Sequence, residues 1–150
     1  NKNNPIIGGY YPVSHEMDCL KILKKLEDNK FKIGLPKIQD NNEMEFHKYS
    51  FKNPTTINKY GIPEPFQNKV ILPDVLLVPL VAFDRNLYRV GYGGGYYDRY
   101  LSKLKKKKIF ISIGIAFSFQ MVEKIPLNNF DKKLDVVITE NKFYKWNFYS

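Results

Sequence analysis

Apolar residues in this chain fall into short unbroken runs, interrupted by two stretches of helical spacing. IIGGYYP (6–12) predicts a short buried strand that ends at Pro12. In SHEMDCLKILKKLEDNKF (14–31), Met17, Leu20, Leu23 and Leu26 lie at helical spacing, which predicts an amphipathic helix with Ser14 as its N-cap. FKIGLP (31–36) predicts a second strand, stopped by Pro36, and EMEFHKYSF (43–51) alternates roughly as a third strand would. Residues 52–69 carry three prolines and little periodicity, which predicts a long surface loop, a length usually reserved for function or mobility.

The second half is more strongly patterned. DVLLVP (74–79) is a continuous apolar run of the kind a parallel strand needs when both its faces are covered. In YYDRYLSKLKKK (96–107), Tyr97, Leu101 and Leu104 share one helical face. IFISIGIAF (109–117) and DVVIT (135–139) predict two further strands. The order of elements predicts an α/β fold: one domain over residues 1–150, three layers α/β/α, with a mostly parallel, Rossmann-like central sheet. Such a sheet places its site beyond the carboxyl ends of its strands, where LVAFDRNLYRVGYGGGYYD (80–98) falls. The run KKKK at 105–108 reads as a solvated helix end, where lysine suits the negative pole of the helix.

Composition narrows the class. No apolar run approaches the length of a bilayer span, and the N-terminal residues lack the apolar core of a signal peptide. The single cysteine, Cys19, allows no internal disulfide, so the expected setting is a reducing cytoplasm without membrane attachment. A net charge of +9 attracts anions, whether nucleic acid, nucleotides or polycarboxylates. The 21 lysines are dispersed rather than interleaved with aromatic residues, which argues against nucleic acid. The three arginines, Arg85, Arg89 and Arg99, all fall within 15 residues around the glycine run. A planar guanidinium is the residue of choice where a phosphate is gripped by two parallel hydrogen bonds.

RVGYGGGYYDRY (89–100) therefore carries the chemistry. It is neither of two familiar phosphate loops: no Gly-Lys-Ser or Gly-Lys-Thr occurs, and Tyr96 or Asp98 stands where GxGxxG needs its last glycine. The physical logic still holds, because glycines let backbone N–H groups approach an anion and the following helix adds its positive end. Asp98 fits the first turn of that helix on dipole grounds alone, or serves as an oxygen ligand for Mg²⁺ on a nucleotide. Asp135, at the entry of the DVVIT strand, is a candidate second carboxylate. Tyr88, Tyr92, Tyr96, Tyr97 and Tyr100 crowd the same region, where rings can stack on a flat heterocycle or pack the helix face. His15 and His47 show no metal-ligand spacing.

These residues resemble a known family. DVLLVPLVAFDRNLYRVGYGGGYYDRYL (74–101) resembles the signature of 5-formyltetrahydrofolate cyclo-ligase, and IIGGYYPVSHEMD, GIPEP and DVVIT resemble flanking segments of it. The resemblance implies an ATP- and Mg²⁺-dependent ring closure of 5-formyltetrahydrofolate to 5,10-methenyltetrahydrofolate, through a phosphorylated formyl group, by a monomer or weak dimer. It implies that Arg89, Val90, Gly91, Tyr92, Gly93, Gly94, Gly95, Tyr96 and Tyr97 cradle the ATP phosphates, with Arg89 and Tyr96 at the reacting centre. It implies folate contacts from Tyr11, Glu16, Tyr92, Tyr96 and glycines 93 to 95, and magnesium carboxylates at Asp98 and Asp135. Three departures stand out: the basic helix usual ahead of the first strand is not among these residues, Leu87 replaces a glycine, and Gly94 stands where some relatives have lysine.

Overall fold

The computed structural model of the chain describes residues 4–145. Strand β1 (Ile6–Gly8) leads through helix α1 (Leu20–Asp28) to β2 (Lys32–Ile38), which turns into β3 (Met44–Tyr49). After β4 (Thr55–Ile57) and β5 (Pro63–Pro65) come β6 (Val75–Val78), β7 (Ala82–Phe83) and β8 (Arg89–Val90). Helix α2 (Tyr96–Lys107), β9 (Ile111–Ile115), β10 (Val136–Ile138) and β11 (Phe143–Lys145) complete the described elements. Seven strands form one sheet in the order β11-β10-β9-β6-β1-β2-β3, with β4–β5 and β7–β8 as separate hairpins. Strands β10, β9, β6, β1 and β2 run parallel, and β3 and β11 are antiparallel edges.

Alternation along β6 explains the three layers. Leu76 and Val78 face one side of the sheet and pack in a core with Phe46, Phe83 and the α2 residues Leu101 and Leu104. Leu77 faces the other side and packs with Leu23 of α1, Ile7, Ile33 and Ile115. A strand apolar on both faces therefore sits at the centre of the sheet, with one helix on each side, as its unbroken run predicts. No helix among the described residues is long and apolar enough to cross a membrane.

Several local expectations change. The helix expected from Ser14 starts only at Leu20, with Cys19 as N-cap and no side-chain cap. Ser14 itself has φ +51°, in a turn held by Glu16 Oε1 accepting from Val13 N–H and by the Tyr10 hydroxyl donating to the Met17 carbonyl. Those bonds give the backbone an alternative to helix. Strand β2 does not stop at Pro36 but runs to Ile38. Pro36 lies opposite Phe46, whose carbonyl turns away to accept from Ile71 N–H, so the pair exchanges no ladder bonds and the missing donor costs nothing there. The loop expected over 52–69 contains the β4–β5 hairpin, tied to the end of β2 by buried Glu64, which accepts from Ile38 N–H.

Leu87, the departure from glycine, is in the turn between β7 and β8. It adopts φ +70° and is fully buried in the α2-side core. Left-handed backbone costs a side-chain-bearing residue about 1–2 kcal/mol, which burial of a leucine, worth about 1.5–3 kcal/mol, offsets. Asp84 holds the turn from inside, accepting from Asn86, Tyr88 and Ile125 N–H groups. Lys108 leaves the solvated end expected of it: its Nζ pairs with Asp74 and the Leu72 carbonyl.

Candidate active site

Strand order reverses at β1: the chain goes from β1 outward to β2, but from β6 on β1's other side outward to β9 and β10. The loops leaving β1 and β6 therefore part in opposite directions, and a cavity of about 610 Å³ opens beyond their carboxyl ends. Tyr10, Tyr11 and Glu16 enter it after β1, Ile38 at the end of β2 and Pro79 after β6, while residues 89–98 form a wall.

The wall is shaped by its glycines. Gly95 is the N-cap of α2 in the left-handed conformation, φ +69°, and no side chain caps the helix, so the first N–H groups of α2 are open to an anion. A Cβ on Gly91 would lie 2.8 Å from Arg89 Nη1, so any side chain there would push the guanidinium from its place under the loop.

Arg89 is the chemical centre. Its side chain is 5% exposed, Nη2 donates to Asp98 Oδ1 at 3.4 Å, and the guanidinium lies 5.7 Å from the Tyr97 ring centre. Nε has no partner, and burial lowers the group's pKa against the pull of Asp98. A buried cation with one long bond and an idle donor, on a cavity wall, has the chemistry to take an anion. Glu16, 9% exposed, is on the same cavity; burial raises its pKa, while the Val13 N–H and Arg89 pull it back.

The structure brings together nearly all the residues singled out in the sequence. Tyr11, Glu16 and the whole segment from Arg89 through Val90, Gly91, Tyr92, Gly93, Gly94, Gly95, Tyr96 and Tyr97 to Asp98 line one cavity. The Tyr92 hydroxyl lies 3.4 Å from the Val13 carbonyl and 3.3 Å from His15 N, joining the glycine loop to the β1 loop. Tyr97 packs against the core and against Arg89, and burial raises its pKa well above the usual phenol value. Of the arginines only Arg89 is in the cavity wall; Arg99 braces the loop by donating to the Gly94 carbonyl, and Arg85 is exposed in the β7–β8 turn.

Asp135 is elsewhere. It precedes β10, at the amino end of the parallel strands opposite the cavity, and its carboxylate accepts from the N–H and hydroxyl of Ser112. Sequence reasoning chose the acid at a strand entry, but parallel strands put their entries on the far edge. The cavity instead holds Asp131, four residues earlier, whose carboxylate also accepts from Asn128 N–H. Among the described residues no group of three or more His, Cys, Asp or Glu could hold a metal by itself. Asp98 and Asp131 on one wall do match the need of Mg²⁺, which takes one or two carboxylates and completes its shell with phosphate and water. Also missed were Asn58, Tyr60 and Ile62 of the β4–β5 hairpin, which close the side facing the glycine loop. Their signals were the length of the 52–69 segment and, for Ile62, its place in the GIPEP resemblance.

An open, mostly parallel sheet with an arginine-backed glycine loop at its reversal point places the chain among α/β proteins whose ligand sites lie at such a reversal. The model of the 5-formyltetrahydrofolate cyclo-ligase family matches residues 2–140. The 5-formyltetrahydrofolate cyclo-ligase of Escherichia coli (strain K12) is 33% identical over 138 residues, 87% of this chain and 75% of that one. The solved structure of Aquifex aeolicus 5,10-methenyltetrahydrofolate synthetase superposes with a TM-score of 0.78 at 30% identity, covering 95% of this chain and 72% of its own. That of the Mycoplasma pneumoniae synthetase gives 0.65 at 29% identity, covering 90% and 73%. The chain belongs to the 5-formyltetrahydrofolate cyclo-ligase family and is an enzyme of the ligase class.

Proposed function

We propose that this enzyme closes 5-formyltetrahydrofolate to 5,10-methenyltetrahydrofolate, with ATP converted to ADP and phosphate in the presence of Mg²⁺. The observation that carries the reading is Arg89, a buried and under-bonded cation beneath a glycine loop at an open helix N-terminus, on the same cavity as Glu16. The phosphates of ATP lie along residues 89–97, where Arg89 and the first N–H groups of α2 stabilise the charge that develops during transfer. Asp98 and Asp131, both on the cavity, would hold Mg²⁺, which would neutralise phosphate charge there.

The formyl oxygen takes the γ-phosphoryl group. The second folate nitrogen then attacks the activated carbon, its proton leaves, and the carbon–oxygen bond breaks to release phosphate. Tyr11, Tyr92 and Tyr96 offer rings and hydroxyls to the folate, and Glu16 accepts from the amino edge of the pterin. Both nitrogens belong to one folate, so closure is already unimolecular; the step that gains from being held in line is phosphoryl transfer between ATP and the formyl oxygen, an advantage of about 7–11 kcal/mol when alignment is good.

The test is the absorbance of the methenyl product with 5-formyltetrahydrofolate, Mg²⁺ and ATP, in the parent and in Arg89→Ala and Asp98→Asn. The reading expects product from the parent only when ATP is present, and collapse in both variants. Product that is independent of ATP, or that survives both substitutions, refutes it.

A further inference from the structure

The β4–β5 hairpin carries chemistry that the reaction above does not use. Its tip is well braced: Asn58 Oδ1 accepts from Tyr60 N–H at 2.9 Å and Ile62 N–H at 3.1 Å, and Gly61 turns the chain at φ +75°. Tyr60 on that tip is 56% exposed, yet its hydroxyl is 2.7 Å from the hydroxyl of Tyr96. The two rings meet edge to face, their centres 6.1 Å apart. The Arg99 guanidinium lies 4.9 Å from the centre of the Tyr96 ring and donates to both the Gly94 and the Asn42 carbonyls. Arg99 thus ties the β2–β3 turn to the glycine loop, and Tyr60 brings the hairpin tip to the same loop.

Water would satisfy either hydroxyl at so exposed a position, so the pair is not needed to rescue a buried polar group. Its consequence is mechanical: it joins a hairpin outside the main sheet to the first residue of α2. An exposed pair of this kind breaks and re-forms easily, as a closure must if substrate is to enter. The chemistry gives closure a purpose. If water reaches the phosphorylated formyl carbon before the second folate nitrogen does, water supplies a new formyl oxygen and phosphate leaves with the old one. The 5-formyl substrate is regenerated and ATP is spent for nothing.

We propose that Tyr60 is a positioning residue of this reaction: paired with Tyr96, it pins the β4–β5 hairpin across the glycine loop and shuts water out while the ring closes. The inference rests on the cyclo-ligase reading of the same cavity. Its test compares the parent with Tyr60→Phe, which keeps the ring and removes the hydroxyl, in two measurements on the full chain. The first is ADP formed per methenyl product. Closure against water expects a value near one for the parent, rising to about three or more in the variant. The second is amide hydrogen exchange at residues 60–62 without ligands, expected to run about two- to tenfold faster in the variant, the loss of one exposed hydrogen bond. A ratio that stays at the parent's value shows a hairpin that merely supports the fold and overturns the proposal, as does unchanged exchange. If the parent makes no methenyl product at all, it is the reading of the reaction that falls. The exchange comparison then decides alone whether the hydroxyl pair pins the hairpin, and unchanged exchange overturns that too.

Discussion

Replacing Arg89 by methionine should weaken ATP binding severely and leave the fold as stable as before or more so. In the parent the guanidinium makes one 3.4 Å bond to Asp98 and leaves Nε without a partner, at 5% exposure. An unsatisfied buried donor costs about 1–3 kcal/mol, and the contact with Tyr97 returns about 0.5–2 kcal/mol. Methionine fills similar volume without polar atoms, and Asp98 is not stranded, since its side chain is 25% exposed and also accepts from Lys132 N–H. The balance centres a little under 1 kcal/mol in favour of the variant, with extremes of about −1 and +2.5 kcal/mol; for a chain of this size each kcal/mol moves the melting temperature by about 2–4 °C. For ATP the sign reverses. Two hydrogen bonds from a guanidinium to phosphate, at about 1.5–3 kcal/mol each, predict affinity lower by about 10²- to 10⁴-fold. Calorimetric unfolding and titration with Mg-ATP measure both quantities. A melting temperature several degrees lower, with ATP affinity within threefold of the parent, would falsify the claim that this cation is kept for a ligand.

Other outcomes follow from particular residues. At Leu87, with φ +70° in the core, glycine should be tolerated better than alanine by about 1 kcal/mol, because both leave the cavity but only glycine relieves the backbone; denaturant midpoints of the two variants decide it. Asp131→Asn should raise the Mg²⁺ concentration for half-maximal activity about tenfold with little change in melting temperature, whereas Asp135→Asn should lower the melting temperature by about 2–4 °C and leave the Mg²⁺ dependence alone. The raised pKa of Glu16 means that the folded chain holds a proton that the unfolded chain releases. The stability this contributes is complete below the ordinary value of 4.5 and is lost as pH rises through the folded one. Glu16→Gln should therefore flatten the fall in stability with pH just above that value and be the more stable protein at neutral pH, as urea midpoints at a series of pH values will show.

Local features were legible in the sequence wherever a single strand or helix contains the whole pattern. The unbroken run at 74–79 marked the central strand because burial on both faces leaves no polar position. The spacing of Leu101 and Leu104 marked α2, because one helical face alone is buried. The candidate loop was readable for a similar reason: glycines, an arginine and a helix start adjacent in sequence must be adjacent in space. Tertiary structure decided what adjacency cannot convey. Pro36 continues β2 because of the way its partner's carbonyl points. Ser14 does not cap α1 because Glu16 and Tyr10 hold that segment as a turn. Asp131 rather than Asp135 reaches the cavity because the direction of β10 puts its entry on the far edge, and Tyr60 meets Tyr96 only because the hairpin folds against the end of β2. Pattern along the chain reports which face each residue presents. Which loops then share a cavity depends on strand order and direction, set by contacts between residues remote in sequence.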